Sequence, residues 1–295
     1  MIKTYFNTTY FDKIVKKSHL YPVTAIEKLN EYLEQYPNDY QAYFLLAKLL
    51  IVLEKYEEAK KILNYAEKQS NIELADDEKR MKTISMQKAY VKVKLDIHES
   101  NYTQADKNFK YYYAMVKQTD HEIFSSSTNN VDTYLKYKLN MNRSAKGYYS
   151  DQLYNYSYED FVEHVKEHHQ KENFGSNAMF YEYINLDILL NEINNNLSET
   201  PKYYIGLTDE IRYFKFDGIG LHDNNNTNFI EVSTIYGTDK LITCYPINDI
   251  GEFEYTDLNY LKELVDPSYK KELIKNDRVE KFYQRLEKTK ELKRK

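Results

Sequence analysis

Two hydrophobic patterns divide the chain. In the first third, apolar residues recur every three or four positions, which is typical of amphipathic helices. After Pro201 the period falls to two, and apolar residues alternate with polar ones as they do in strands. The patterns predict a multidomain protein in which an α part precedes an α+β part with a small antiparallel sheet.

The helical part repeats itself. The stretch AIEKLNEYLEQYP from Ala25 corresponds to AKKILNYAEKQSN from Ala59, 34 residues later. Small residues at Ala47 and Ala59 allow neighbouring helices to approach closely, and Pro37 marks the end of a helix. The repeated positions are apolar or helix-ending residues: Ala25, Leu29, Tyr32, Pro37, Tyr43, Leu46, Ala47, Leu50, Tyr56, Ala59, Leu63 and Ala66.

These positions resemble the tetratricopeptide repeat from about Thr24 to Gln69. The resemblance implies an α-solenoid whose concave face binds a protein or peptide partner. The alternative is a helical domain with a purely structural role. Tyr102, Ala105 and Phe109 predict a third unit, although Ala105 follows Ala59 by 46 residues. The charged stretch NIELADDEKRMK is expected to lengthen a helix or a loop there, and residues 1–17 to supply the first helix of the first unit.

Polar residues with a Ser run at 119–130 indicate a break between two parts. We predict a repeat domain at residues 1–125, a connector at 126–150, an α+β domain at 151–265 and a basic C-terminal helix at 266–295. In the α+β domain, Ser157 and Asp160 form the start signal of a helix that runs to about Lys171. A second helix is predicted at 185–197.

The alternating residues that follow predict three strands. EIRYFKFDGIGL forms the first, and a polar loop is expected at 222–228. NFIEVSTIYGTDKLITCYPI forms the other two, joined by a turn in which Gly237 supplies a positive φ. A closing helix is expected from about Asp257.

The composition limits the chemistry and the cellular location expected of the protein. A single cysteine, Cys244, excludes an internal disulfide and a Cys-based zinc knuckle. The sequence has no apolar run long enough for a membrane span and no signal-peptide pattern at its start, so a cytoplasmic protein without membrane contact is expected.

Residues 270–295 hold 11 Lys and Arg against 5 Asp and Glu, a net charge of +6 on an otherwise acidic chain. Such a tail is typical of a segment that contacts RNA or an acidic partner. A solvated terminal helix has the same composition.

The second part also resembles small phage and plasmid ribonuclease toxins, of the barnase, EndoU, colicin and RelE-like group, over about residues 154–247. The resemblance is carried by a histidine-bearing helix followed by a Thr-rich hairpin ending in Tyr245 and Pro246. It implies metal-independent RNA cleavage with no cofactor. The residues assigned to catalysis are His164, His168, Thr234, Thr238, Lys240 and Thr243, and those assigned to substrate binding are Arg212 and Tyr245. Histidine titrates near neutrality and suits proton transfer, while lysine, arginine and hydroxyl groups suit a phosphate.

The histidine helix permits two other interpretations. His164-Val165-Lys166-Glu167-His168 has the H-x-x-E-H form of one class of zinc peptidases, with Glu231 or His222 as a third ligand. Alternatively, His169 packs against the core and the other two histidines are solvated. Three functions therefore stand: a toxin-like ribonuclease coupled to a protein-binding solenoid, a non-enzymatic adaptor, and a zinc hydrolase. The oligomeric state is not predicted.

Overall fold

The computed structural model describes residues 8–73, 78–118, 131–132, 134–136, 138–139, 157–170, 177–261 and 263–265. Within these ranges a helical half precedes a half that combines helices with a small sheet, so the predicted mixed α and α+β fold is confirmed. The basic tail predicted at 266–295 and most of the connector predicted at 126–150 lie outside the described residues.

The helical half consists of consecutive helices that pack against one another. They are α1 (Thr8–Ser18), α2 (Pro22–Gln35), α3 (Tyr40–Val52), α4 (Tyr56–Glu73), α5 (Glu78–His98) and α6 (Tyr102–Gln118). The small residues Ala25, Ala47, Ala59 and Ala66 are buried, as close helix packing requires. α1 supplies the first helix expected from residues 1–17, and Ile14 on it is buried against the same core.

The third unit is present as α5 and α6. Ala105 and Phe109 are buried between these helices and the sheet half. The charged stretch lengthens two helices, because it supplies the last residues of α4, up to Glu73, and the first residues of α5, from Glu78. The excess over the repeat period is therefore absorbed by longer helices, one of the two outcomes expected.

The second half contains α7 (Tyr158–His169), β1 (Ala178–Phe180), α8 (Leu186–Asn196), β2 (Lys202–Tyr203), β3 (Asp209–His222), β4 (Asn225–Ile235), β5 (Leu241–Ile247) and β6 (Thr256–Asp257). The long strand β3 organises the sheet. β4 pairs antiparallel along one edge of β3, and β5 continues from β4. The opposite edge of β3 pairs with β1 and β2 antiparallel and with β6 parallel.

The predicted helix start is confirmed at α7. The Ser157 hydroxyl accepts a hydrogen bond from the Asp160 N–H at 3.1 Å, and the Asp160 carboxylate accepts one from the Ser157 N–H at 2.8 Å. This reciprocal capping satisfies two N–H groups that have no partner inside the helix. The hairpin turn is also confirmed, since Gly237 has a φ of 68°.

Two predicted elements are wrong. The polar segment 222–228 is not a loop. β3 continues to His222 and β4 begins at Asn225, and Asp223 and Asn224 with φ of 49° and 63° make the turn between them. Two consecutive positive φ values match the right-handed twist of a hairpin, and Asp and Asn tolerate them well. No helix begins near Asp257 within the described part, where β6, turns and a single bridge from Val265 to Ile184 follow instead.

The two halves share their hydrophobic core. Of the four hydrophobic clusters among the described residues, three contain residues of both halves. Tyr204 lies in the main core of the repeat helices, and Val52 of α3 packs with Ile211 and Tyr213 of β3. Tyr134, in the segment predicted as a connector, is buried in a cluster with residues of both halves.

Candidate functional site

A groove lies on the face of the solenoid formed by α1, α3 and α5. Its cavity volume is about 470 Å³, and Tyr112 of α6 also contributes to its wall. α1 contributes Phe11 and Val15, α3 contributes Leu45 and Lys48, and α5 contributes Tyr90. Alternate helices of a helix-pair repeat line one face, so this groove is the concave face that the repeat pattern predicts.

Helical spacing explains which side chains line the groove. On α3, Leu45, Lys48 and Val52 follow one another at intervals of three and four residues, so they form one stripe. On α5, Tyr90 and Lys94 continue a similar stripe. The groove is open along the first part of each stripe, where Leu45, Lys48 and Tyr90 line it.

The floor of the groove combines a cation with an unpaired acceptor. The Lys48 ammonium lies 5.2 Å from the centroid of the Tyr90 ring, and burial lowers the pKa of Lys48. The side-chain oxygen Oε1 of Gln87 is buried and has no hydrogen-bond partner in the structure. Apolar surface lies beside them, since Val15 is 42% exposed. The groove can therefore offer a charged donor, an acceptor and an apolar wall to one ligand.

The sheet half covers the other end of these stripes. Lys94 is fully buried, and its ammonium donates hydrogen bonds to the backbone carbonyls of Tyr204 at 3.1 Å and Ile205 at 2.8 Å. On the neighbouring stripe, Val52 packs against β3. Chain segments of the sheet half thus close one end of the concave face and leave open the part that Leu45, Lys48 and Tyr90 line.

Burial is the main cause of the pKa shifts at the contact between the two halves. It lowers the pKa of Lys94 well below the ordinary value of a lysine, and the nearby Lys48 charge lowers it further. Burial raises the pKa of Asp209 to about 6, although a hydrogen bond from Thr208 and the Lys94 charge act in the opposite direction. A ligand group that binds Lys48 would therefore change the electrostatic environment of Lys94, which makes the contact between the two halves.

The histidines predicted to be catalytic lie together at the C-terminal end of α7. The ring centroids of His164 and His168 are 4.6 Å apart, and those of His169 and Tyr245 are 5.5 Å apart. Nδ1 of His169 is 3.0 Å from the carbonyl oxygen of Ala178. Burial lowers the pKa of His164 and that of His169, and for His164 the neighbouring imidazoles add to the effect. His168 is exposed.

Arg212 and Thr234 have structural partners. The Arg212 guanidinium is buried and donates to Leu197 O at 3.1 Å and to the Thr234 hydroxyl at 2.7 Å. It also approaches the Glu210 carboxylate at 3.4 Å. These contacts fix the end of α8 to the sheet, so the group predicted to bind a phosphate is enclosed by protein partners.

Of the remaining hairpin residues, Thr238 and Lys240 lie away from the histidine cluster. The Thr238 hydroxyl donates to Ile235 O at 2.8 Å and accepts from the Lys240 N–H at 3.2 Å, which stabilises the turn. Lys240 precedes the first residue of β5, whereas the Tyr245 that contacts His169 lies near its other end, roughly 16 Å along an extended strand. Thr243 lies opposite Ser233 in the ladder between β4 and β5, and by alternation it shares a face of β5 with Tyr245.

The structure thus forms two separate groups of contacts. One contains His164, His168, His169 and Tyr245, and the other contains Arg212 and Thr234. Tyr245 also donates to the Glu231 carboxylate at 2.6 Å, and burial raises the pKa of Glu231.

The zinc alternative is not assembled in this structure. No group of three or more His, Cys, Asp or Glu side chains that could hold a metal ion occurs among the described residues. His164, His168 and Glu231, or His222 in place of Glu231, therefore do not form such a group there.

Sequence reasoning did not name the groove residues. Lys48 and Tyr90 carry no motif, and their shared face becomes evident only once α3 and α5 are known to be alternate helices of the stack. Because the helices before Ala105 are lengthened, the repeat period does not indicate where α5 lies in the stack. The spacing of Leu45, Lys48 and Val52 is a signal that could have identified the α3 stripe.

The fold and the groove define a helical-repeat scaffold whose concave face is partly covered by an attached α+β half. Residues 22–70 match the tetratricopeptide repeat family model, and α2, α3 and α4 lie in that range. The predicted resemblance to the tetratricopeptide repeat over about Thr24 to Gln69 is thereby confirmed. Comparisons with curated proteins and with solved structures returned no significant match. No helix in the described ranges is long and apolar enough to cross a membrane.

Proposed function

We propose that this protein is an interaction module that binds an extended peptide segment of a protein partner in the concave groove. The observation that carries the proposal is the juxtaposition of Lys48 and the unpaired Gln87 oxygen on the groove floor. An extended peptide presents carbonyl oxygens and N–H groups to such a pair, and a tetratricopeptide repeat is typically a site of protein binding.

The groove also indicates the chemistry of the peptide. Lys48 is half-buried, so a carboxylate or carbonyl that reaches it is bound in a partly desolvated setting, where a charge-assisted hydrogen bond is stronger than on the surface. Phe11, Val15 and Leu45 provide apolar contacts beside it. The partner segment should therefore carry an acidic residue next to apolar ones.

Selection of peptides from a displayed library on the full-length chain tests this function. Peptides with an acidic residue among apolar ones should be enriched. Their affinity, measured by fluorescence anisotropy, should fall about 10- to 150-fold in Lys48→Gln, since loss of one charge-assisted hydrogen bond removes about 1.5–3 kcal/mol. Lys61→Gln is the matched control, because Lys61 is exposed on α4 and does not line the groove. Equal affinity of both variants for the selected peptides would contradict the proposed site.

RNA cleavage is not part of this proposal. Arg212 and Thr234 are bonded to each other in the interior, and the histidines of α7 contact the far end of β5 from Lys240. These placements give the ribonuclease hypothesis no support. Incubation of the purified chain with RNA, compared with a His164→Ala, His168→Ala variant, remains its direct test, and a difference in cleavage would revive it.

A further inference from the structure

The described chain leaves the sheet half beside the first turn of α8. The Asn185 N–H donates to Leu264 O at 2.9 Å, and Val265 forms a β-bridge with Ile184. Leu264 is fully buried in the core beneath α7 and α8. This anchored point is the origin of the segment 266–295, which lies outside the described residues.

A groove with a cavity volume of about 510 Å³ lies next to this point, along the outer face of α7. Tyr158, which is 37% exposed, and the partly exposed Val162 form its apolar surface. Gln170 also lines the groove, and its Nε2 donates to Ile184 O at 3.1 Å. The near end of the groove is therefore joined by one hydrogen bond to the residue that bridges Val265.

Carboxylates surround this apolar surface. Glu159, Glu163, Glu167 and Asp187 line the groove and are all exposed, and Lys166 pairs with Asp187 at 2.6 Å. Glu159 lies in the first turn of α7, where the helix dipole stabilises a negative charge. Glu163 lies in the middle of α7, beyond the first turn in which that stabilisation acts.

The segment that begins at this point has the complementary sequence. Residues 270–295 carry a net charge of +6. Apolar residues recur there at intervals of three and four, at Val279, Phe282 and Leu286, and basic residues stand among them, at Arg278, Lys281 and Arg285.

We propose that the C-terminal segment of this chain binds back onto α7. Its apolar residues cover Tyr158 and Val162, and its basic residues pair with Glu163 and Glu167. The span to be covered is short, since the 12 residues of α7 extend about 18 Å. Exposed ion pairs are individually weak. The tether compensates for this weakness, because it holds the segment at an effective concentration on the order of millimolar.

A single fluorophore tests the contact in the full-length chain. The chain has no Trp, so Phe282→Trp introduces one emitter into the segment. We expect a blue-shifted emission maximum and several-fold weaker quenching by acrylamide than for a solvated indole. Glu163→Lys with Glu167→Lys should abolish both effects. Glu27→Lys with Glu31→Lys is the matched control, because these residues are exposed on α2 at the same i, i+4 spacing.

A charge swap keeps the test valid if the α7 variant folds poorly. Adding Lys281→Glu and Arg285→Glu to the α7 reversal should restore the blue shift. Circular dichroism verifies folding of each variant. A solvated indole in the parent, or a shift that survives the α7 reversal, would overturn the proposal. A shift that grows with protein concentration would also overturn it, because it would place the segment on a second copy.

Discussion

The carboxylate of Glu252, in the sheet half, caps the N-terminus of α2 in the helical half. It accepts hydrogen bonds from the backbone N–H groups of Val23 at 2.8 Å and Thr24 at 3.1 Å, and from the Thr24 hydroxyl. The cap residue that precedes α2, Tyr21, has no side-chain cap of its own. A helix of one half therefore depends on a side chain of the other for its first-turn hydrogen bonds.

Removal of this cap should destabilise the protein. Glu252→Ala is expected to lower the free energy of unfolding by about 1–2 kcal/mol, the range for loss of a helix cap. Urea denaturation followed by circular dichroism measures the change. Glu254→Ala is the control, because that side chain is exposed, and it should change stability by less than about 0.5 kcal/mol. Equal effects of the two substitutions would refute the capping role.

The buried ammonium of Lys94 should be structurally required. Lys94→Met keeps most of the volume but leaves the carbonyls of Tyr204 and Ile205 without their donor. We expect a loss of about 1–3 kcal/mol in unfolding free energy. Lys92, on the same helix as Lys94, pairs with Glu67 of α4, and Lys92→Met should cost less than about 1 kcal/mol. Chemical denaturation of both variants decides between a required contact and an incidental one.

Two glycines with the same backbone conformation should respond differently to alanine. Gly251 and Gly237 have φ of 60° and 68°, so alanine strains either position by about 1–2 kcal/mol. At Gly251 an added Cβ would also lie 1.9 Å from Leu20 O in the helical half, whereas at Gly237 nothing lies within 4 Å. Gly251→Ala should therefore lower the melting temperature clearly more than Gly237→Ala. Similar melting temperatures would show that the two halves separate easily at Leu20.

The histidines of α7 should make stability depend on pH. Since burial lowers the pKa of His169 in the folded state, the unfolded state binds more protons as the pH falls through about 6.5. Stability should therefore fall between about pH 8 and pH 5, and less steeply in His169→Gln. The contribution of Asp209 has the opposite sign, because its pKa is raised to about 6. The variant must accordingly be compared with the parent chain at each pH by urea denaturation, and parallel profiles would contradict the prediction.

Residues whose role is local could be predicted from the sequence. Ala47 and Ala59 follow the packing demand of one helix pair, and Ser157 with Asp160 forms a cap within four residues. The turn at Asp223 and Asn224 was missed because a run of Asn resembles a loop, although the strand ladder continues through Asn225 to Thr227.

Residues whose role depends on contacts far apart in the sequence could not be predicted. Lys94 appears in the sequence as an ordinary lysine of a polar helix, since its carbonyl partners at Tyr204 and Ile205 lie more than a hundred residues away. Arg212 resembles a phosphate ligand for the same reason, because Leu197 and Thr234 become its partners only after the sheet and α8 have packed. The candidate groove depends on the same long-range assembly.

The carbonyls that hold Lys94 also limit how the repeat array could grow in evolution. Arrays of this kind commonly lengthen when a unit is duplicated. A unit inserted between α4 and α5 would carry Lys94 one repeat farther along the stack, out of reach of Tyr204 and Ile205. A unit added before α1 would leave Lys94 beside these two carbonyls.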